Sequence, residues 1–106
     1  MFMRITWGKL KPGAWNGYEA AYKKVMPKTL EVPGIRGRWL IRDLDEPDAG
    51  YSVAMFDSEH DMRAFTENAE IRTAIREALD PFHTGEYTTK HCEVRVELAS
   101  SEQRRP

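Results

Sequence analysis

Residues 35–56, IRGRWLIRDLDEPDAGYSVAMF, hold two alternating runs separated by a polar break. In the first, Ile35, Gly37, Trp39 and Ile41 alternate with Arg36, Arg38, Leu40 and Arg42; in the second, Tyr51, Val53 and Met55 alternate with Ser52, Ala54 and Phe56. A side-chain period of two belongs to a strand, and Asp45, Glu46, Pro47, Asp48 and Gly50 are turn formers, so the stretch predicts an antiparallel hairpin. On either side the period changes. Upstream, Trp15, Tyr18, Tyr22 and Val25 recur at three- and four-residue spacings, with Lys23, Lys24 and Lys28 left to water, which predicts a helix that Pro27 ends or kinks. Downstream, Ser58 and Asp61 form a capping pair ahead of Met62, Phe65, Ala69, Ile71, Ala74, Ile75, Ala78 and Leu79. This predicts a second helix, kinked near Asn68 and closed by Asp80-Pro81.

Alternation returns at both ends of the chain. Met3, Ile5 and Trp7 alternate with Arg4, Thr6 and Gly8 up to Pro12-Gly13, and Tyr87 to Leu98 alternates after a loop holding His83 and Gly85. The order strand, helix, strand, strand, helix, strand is the ferredoxin-like βαββαβ arrangement of the α+β class: an antiparallel four-stranded sheet with two helices on one face. A single domain over residues 1–99 is expected, followed by a polar, disordered tail at 100–106. Two helices cover one sheet face only, while the first and third strands carry apolar residues on both sides, so a second copy of the chain is expected against the other face. The second and fourth strands lie at opposite edges in this arrangement, which would let Arg36, Arg38 and Arg42 meet Glu93 and Glu97 only across subunits.

Composition narrows the function. In 106 residues, 16 Lys and Arg stand against 17 Asp and Glu, a formal net charge of −1, so the chain has no overall field for a nucleic acid or an anionic membrane. No apolar run approaches the roughly 20 residues of a bilayer span, and the opening Met1-Phe2-Met3-Arg4 lacks the apolar core of a signal peptide, so a cytoplasmic protein is expected. Cys92 has no second cysteine to pair with. Adjacent on a strand, His91 and Cys92 point to opposite faces, and no other spacing suits a metal, so no metal site is predicted. The glycines sit at turns, outside any nucleotide-binding pattern.

Several words of the sequence resemble the antibiotic biosynthesis monooxygenase family, within the dimeric α+β barrel superfamily. KLKPG follows the first strand, VPGIRG enters the second, and FDSEHDMRAFTENAEI is similar to the family's aromatic-acid-Ser-acid start of the second helix. The likeness runs from about Arg4 to Glu97 and rests on turn glycines, a cap and core positions, which speak for fold more than for chemistry. It implies a homodimer and one of three properties: cofactor-free oxygenation of phenolic polyketides and quinols, haem degradation, or binding without known activity. The haem-degrading branch would need an asparagine where this chain has Thr6 and a histidine within Glu70–Ile75, where it has none. Haem degradation is therefore disfavoured, with His83 the remaining candidate ligand.

The reading that follows is a monooxygenase without cofactor, using molecular oxygen as co-substrate on a small phenolic, quinol or anthrone-like molecule. Such chemistry needs a base for the phenolic proton and a dry, aromatic-lined pocket. His83, after the Pro-Phe turn, is the expected base. Trp7, Tyr22, Trp39, Phe65 and Asn68 are the expected substrate contacts, although helical spacing alone also explains Tyr22 as core and Asn68 as the kink. Arg38 suits an anionic substrate, or equally a solvated arginine face with Arg36 and Arg42. Two other readings remain: a polyketide cyclase or isomerase of the same superfamily, and a non-catalytic dimer that binds a small molecule.

Overall fold

The computed structural model describes residues 1–100. The expectation for the tail at 101–106 lies outside them. Strand β1 (Phe2–Leu10) leads through a Pro-Gly turn to helix α1 (Trp15–Val25), which tightens into a 3-10 turn at Met26–Glu31. Pro27 stands in the first turn of that segment, where its missing N–H costs no hydrogen bond. Strands β2 (Ile35–Arg42) and β3 (Ala49–Phe56) form the predicted hairpin. Asp43 shapes its loop: one carboxylate oxygen accepts the N–H groups of Asp45 at 2.8 Å and Glu46 at 3.0 Å. All pairings are antiparallel and the sheet order is β2-β3-β1-β4, with β2 and β4 at the edges. The ferredoxin-like α+β fold is therefore present.

Among the described residues three α-helices, not two, cover the sheet. The expected long second helix is divided into α2 (Glu59–Glu67) and α3 (Ala69–Leu79). At the join, Asn68 adopts an extended backbone with ψ of 95°, and its side-chain carbonyl accepts the Ile71 N–H at 3.1 Å. A short amide side chain competes with the helix for backbone donors, so Asn68 ends α2 and starts α3. The predicted cap at α2 is present: Ser58 Oγ accepts the Asp61 N–H at 3.0 Å and donates to the Asp61 carboxylate at 2.9 Å.

Strand β4 spans His83–Glu93, starting directly after a 3-10 turn at Asp80–Phe82 and stopping before the expected Leu98. Its pairing with β1 ends at Phe2 opposite Glu93, and past it the Val94 N–H donates to the carbonyl of Met1. Val96 and Leu98 are exposed. His83 is thus the first residue of a strand instead of part of a loop.

Pairing fixes which residues share a face. Trp39, Val53, Ile5 and Lys90 form one cross-strand row, and Ile41, Tyr51, Trp7 and Thr88 the next, all on the side away from the helices. Arg4, Thr6, Ser52, Ala54, Arg38 and Thr89 alternate with them and look toward the helices. Under the helices the apolar core is in two parts. Leu10, Tyr18, Tyr22, Met26 and Leu79 form one, Ala54, Phe56, Met62 and Phe65 the other, and Ile75 packs against both. The space between them is the candidate site.

Candidate functional site

A cavity of about 160 Å³, partly open to solvent, separates the two core clusters. Tyr18, Met26, Ile75 and Leu79 make one wall, Phe65 another, and His83, Tyr87 and Thr89 close it from β4. Four arginines reach it from three elements: Arg4 on β1, Arg38 on β2, and Arg72 and Arg76 on α3, against one lining carboxylate, Asp80.

The arginines are held by neutral groups. Arg38 donates to Ser52 Oγ at 3.0 Å, Thr29 Oγ1 at 3.0 Å and, more weakly, the Tyr22 hydroxyl at 3.4 Å. Its Nη2 is shut off from water and has no hydrogen-bond partner among the described residues. Arg4 donates to Thr66 Oγ1 at 2.9 Å and Arg72 to the Thr66 carbonyl at 3.2 Å. The Thr66 hydroxyl also shares a hydrogen bond of 2.7 Å with His91 Nε2, whose direction follows the imidazole tautomer. Arg4 and Arg38 lie on the Phe65 ring, each guanidinium carbon 5.3 Å from its centroid, a distance of cation–π attraction. Among the described residues the ion pairs run through Lys9, Lys23, Arg36, His60, Arg63 and Arg95, and none includes a cavity arginine. Burial, and then repulsion from Arg72 and Arg38, bring the Arg4 guanidinium down to about 10. It stays charged at neutral pH. Tyr18 is raised to about 12, first by burial and then by Tyr22, so it presents a neutral hydroxyl.

His83 sits over β1 because Gly8 lacks a side chain; a Cβ there would lie 2.6 Å from His83 Nε2. The Gly85 N–H donates to His83 Nδ1 at 2.9 Å, so the neutral ring carries its proton on Nε2. Burial lowers its pKa, partly offset by Asp80. His83, Thr6, Tyr18 and Ser52 also border a recess of about 30 Å³ that continues between Gly8, Gly50, Leu10 and Leu40. That is room for one water-sized or diatomic molecule.

Of the six residues singled out from sequence, His83 and Phe65 meet in this cavity. Tyr22 stands one step behind, its hydroxyl 2.9 Å from Ser52 Oγ and within reach of Arg38. Trp7 and Trp39 do not belong to it: strand alternation puts both on the opposite face, where Trp39 is 47% exposed. Asn68 is spent on the α3 cap and lies outside the lining. Arg36, Arg38 and Arg42 do not form one solvated face. Arg36 lies in a bulge and pairs with Asp57, Arg38 turns inward, and Arg42 rests over Trp15 at 5.7 Å. Within the chain Arg36 pairs with Asp57 and Glu93 with Arg95, and Glu97 adds only a weaker attraction to Arg36. Arg4, Arg72, Arg76 and Asp80 were not singled out, since charged residues at helical or strand spacing read as solvated positions.

The sequence profile described as antibiotic biosynthesis monooxygenase matches residues 1–77. The chain belongs to the antibiotic biosynthesis monooxygenase family. No curated protein matches it by sequence. Solved structures share the fold at low identity. SnoaB, a cofactor-independent oxygenase from Streptomyces nogalater, superposes with a TM-score of 0.76 at 15% identity over 93% of this chain and 97% of its own. An MhuD mutant with two manganese protoporphyrin IX bound per active site gives 0.78 at 18% over 94% and 100%. A further antibiotic biosynthesis monooxygenase gives 0.70 at 16% over 89% and 98%. The same fold thus carries a cofactor-independent oxygenase in one neighbour and bound manganese protoporphyrin IX in another. Here the matched segment ends before His83, Tyr87 and Thr89, which close the cavity.

Proposed function

We propose that the chain is a cofactor-independent monooxygenase that oxidises a small phenolic, quinol or anthrone-like substrate in the cavity between its two core clusters. The observation that carries this reading is the set of unpaired arginines around an aromatic-lined cavity next to the His83 Nε2–H. Direct reaction of an organic molecule with oxygen needs an electron-rich anion, and a cationic, partly dry lining favours phenolate or enolate over the neutral form. The hydrogen bond from Gly85 occupies the nitrogen that a base would use, so His83 serves as a donor to the oxyanion instead of the base expected from sequence. Asp80 is the lining carboxylate able to take the proton. The recess behind His83 suits oxygen. With an anthrone, the methylene becomes a carbonyl, one oxygen atom enters the product and the other leaves as water.

Haem fits these residues poorly. Iron ligation through His83 would use the Nε2 lone pair and put the proton on Nδ1, against the Gly85 N–H. A cavity of about 160 Å³ also matches one ring, since a dry cavity of about 150 Å³ takes up benzene. Larger substrates would extend through the open side.

Oxygen uptake with a panel of dihydroquinones and anthrones, in metal-free buffer with an anaerobic control, tests the reading. Enzyme-dependent uptake with a quinone product is the expected result. A product formed without oxygen would replace it with a cyclase or isomerase, and no product across the panel would favour a binding protein.

The same reading includes a homodimer. The helix-free sheet face carries Ile5, Trp7, Trp39, Ile41 and Tyr51, a continuous apolar area that needs cover. Sedimentation equilibrium should give twice the chain mass at micromolar concentration, and Trp7→Asp should bring it toward the monomer. A wild-type chain sedimenting as a monomer would remove this part of the proposal.

A further inference from the structure

The cavity holds more positive charge than a phenolate needs. Arg4, Arg38 and Arg72 are partly buried in the lining, while Arg76 and Asp80 are exposed and of opposite sign, so at neutral pH with His83 uncharged the lining carries a surplus of three charges, and one phenolate would leave two unbalanced. The surplus is built in from separate elements, β1, β2 and α3. Neutral hydroxyls and carbonyls hold Arg4, Arg38 and Arg72, fixing their positions without neutralising them. Grouped, partly buried cations without counter-ions are unfavourable in a protein interior unless an anion joins them. The buried Nη2 of Arg38 has no partner among the described residues, so none of them supplies an anion at this atom. The rest of the lining is flat and apolar. Phe65, Tyr18, Ile75 and Leu79 bound a space that takes one aromatic ring.

We propose that the substrate is a small aromatic acid: one hydroxylated ring seated against Phe65 and Tyr18, with a carboxylate that meets the arginine cluster. This rests on the same cavity being the oxygenase site and adds the charge and size of the molecule it takes. Carboxylate is favoured over a bulkier phosphate ester because the ring alone nearly fills the volume, and a planar carboxylate matches the edge of a guanidinium. The second anionic charge also explains why Arg72 and Arg76, on the helix that covers the cavity, join Arg4 and Arg38. A neutral quinol would leave them without a role.

Titration calorimetry on the full chain, anaerobic and at low salt, separates the possibilities with three probes: 2,5-dihydroxybenzoate, hydroquinone, and phenyl phosphate. The expected result is that 2,5-dihydroxybenzoate binds on the order of ten- to a hundredfold more tightly than hydroquinone, the range for added hydrogen bonds to charged groups. That advantage should shrink as salt is raised. Arg38→Met should remove most of it. Because Arg38 also holds Ser52 and Thr29, Arg72→Gln provides a second variant that disturbs the fold less, and it should lower affinity for the acid about tenfold while leaving hydroquinone within about twofold. Equal affinity for acid and quinol, or no effect of Arg72→Gln on the acid, would overturn the proposal. Tighter binding of phenyl phosphate than of the acid would overturn it in favour of a phosphorylated ligand. Failure of the oxygenase reading looks different: the acid would bind with this selectivity and consume no oxygen. Failure of the present inference alone would leave a neutral dihydroquinone oxidised at full rate.

Discussion

Replacing Phe56 with alanine is expected to lower the unfolding free energy by about 3–5 kcal/mol. The ring is fully buried, lies 5.9 Å from Phe65 centroid to centroid, and packs with Ala54 and Met62 in the cluster beneath the cavity. Truncation removes the transfer energy of the ring and leaves a void that strand β3, paired on both sides, cannot close. For a domain of this size the native state is only about 5–15 kcal/mol more stable than the unfolded chain, and each kcal/mol is worth roughly 4–8 °C. Thermal and denaturant unfolding should therefore show a large drop in midpoint with an unchanged denaturant slope. Phe65 would lose the ring behind it, so the cation–π seat of Arg4 and Arg38 should loosen as well. A loss below about 1 kcal/mol would mean that the site collapses around the missing ring and that this cluster is not a rigid floor.

His83→Phe is expected to lower turnover about 10²- to 10³-fold with a smaller change in KM, the effect of removing one hydrogen-bond donor to a developing oxyanion. Phenylalanine keeps the flat ring over Gly8 and loses the Nε2–H. Gly85 loses its acceptor, but that N–H is exposed and water replaces it, so stability should change little. The pH dependence gives an independent readout. Burial holds the folded-state pKa of His83 below its ordinary 6.5, with Asp80 offsetting part of the shift. The folded chain therefore binds fewer protons at this site than the unfolded chain does. The contribution of the neutral ring to stability is complete above pH 6.5 and is lost as the pH falls through the lower folded value. Protonation also places an N–H on Nδ1 against the Gly85 N–H. Wild-type activity should then fall on the acid side, below 6.5, and the variant should lack that limb. His91 shifts in the same direction, through burial and then Arg4 and Arg63, with Glu59 opposing, so the stability profile of the variant keeps an acid limb while its activity profile does not. Unchanged turnover and an unchanged acid limb in His83→Phe would remove the donor assignment.

Much of the architecture was legible before any coordinates. Alternation over 35–42 and 51–56 with Asp and Pro between marks a hairpin, and a hairpin between two helical periods and two outer strands admits few arrangements. Ser58 and Asp61 marked a helix start because their chemistry is local. The division at Asn68 was harder to read: an asparagine both tolerates a kink and caps a new helix, and the choice depends on where α3 packs. The end of β4 was equally hidden, because a strand stops when its partner does, and Val94 to Leu98 alternates as well as the residues before it.

For the site, the sequence by itself determined which residues lie together on a strand face, and hence that Arg4 goes with Thr6, and Ile5 with Trp7. It did not determine which of those two faces the helices cover, because a period of two is symmetric between the sides of a sheet. Hydrophobicity pointed to the tryptophan side, yet the helices dock on the side of Arg4, Thr6, Ser52 and Arg38. Docking breaks that symmetry by burying Phe65 on Phe56 and, in the other cluster, Leu79 with Tyr18, the latter residues far apart in the chain. The same docking brings Arg72 and Arg76 from α3 over Arg4 and Arg38 from the sheet. Each arginine reads as a solvated charge in its own element, and a cationic cavity exists only once three elements meet.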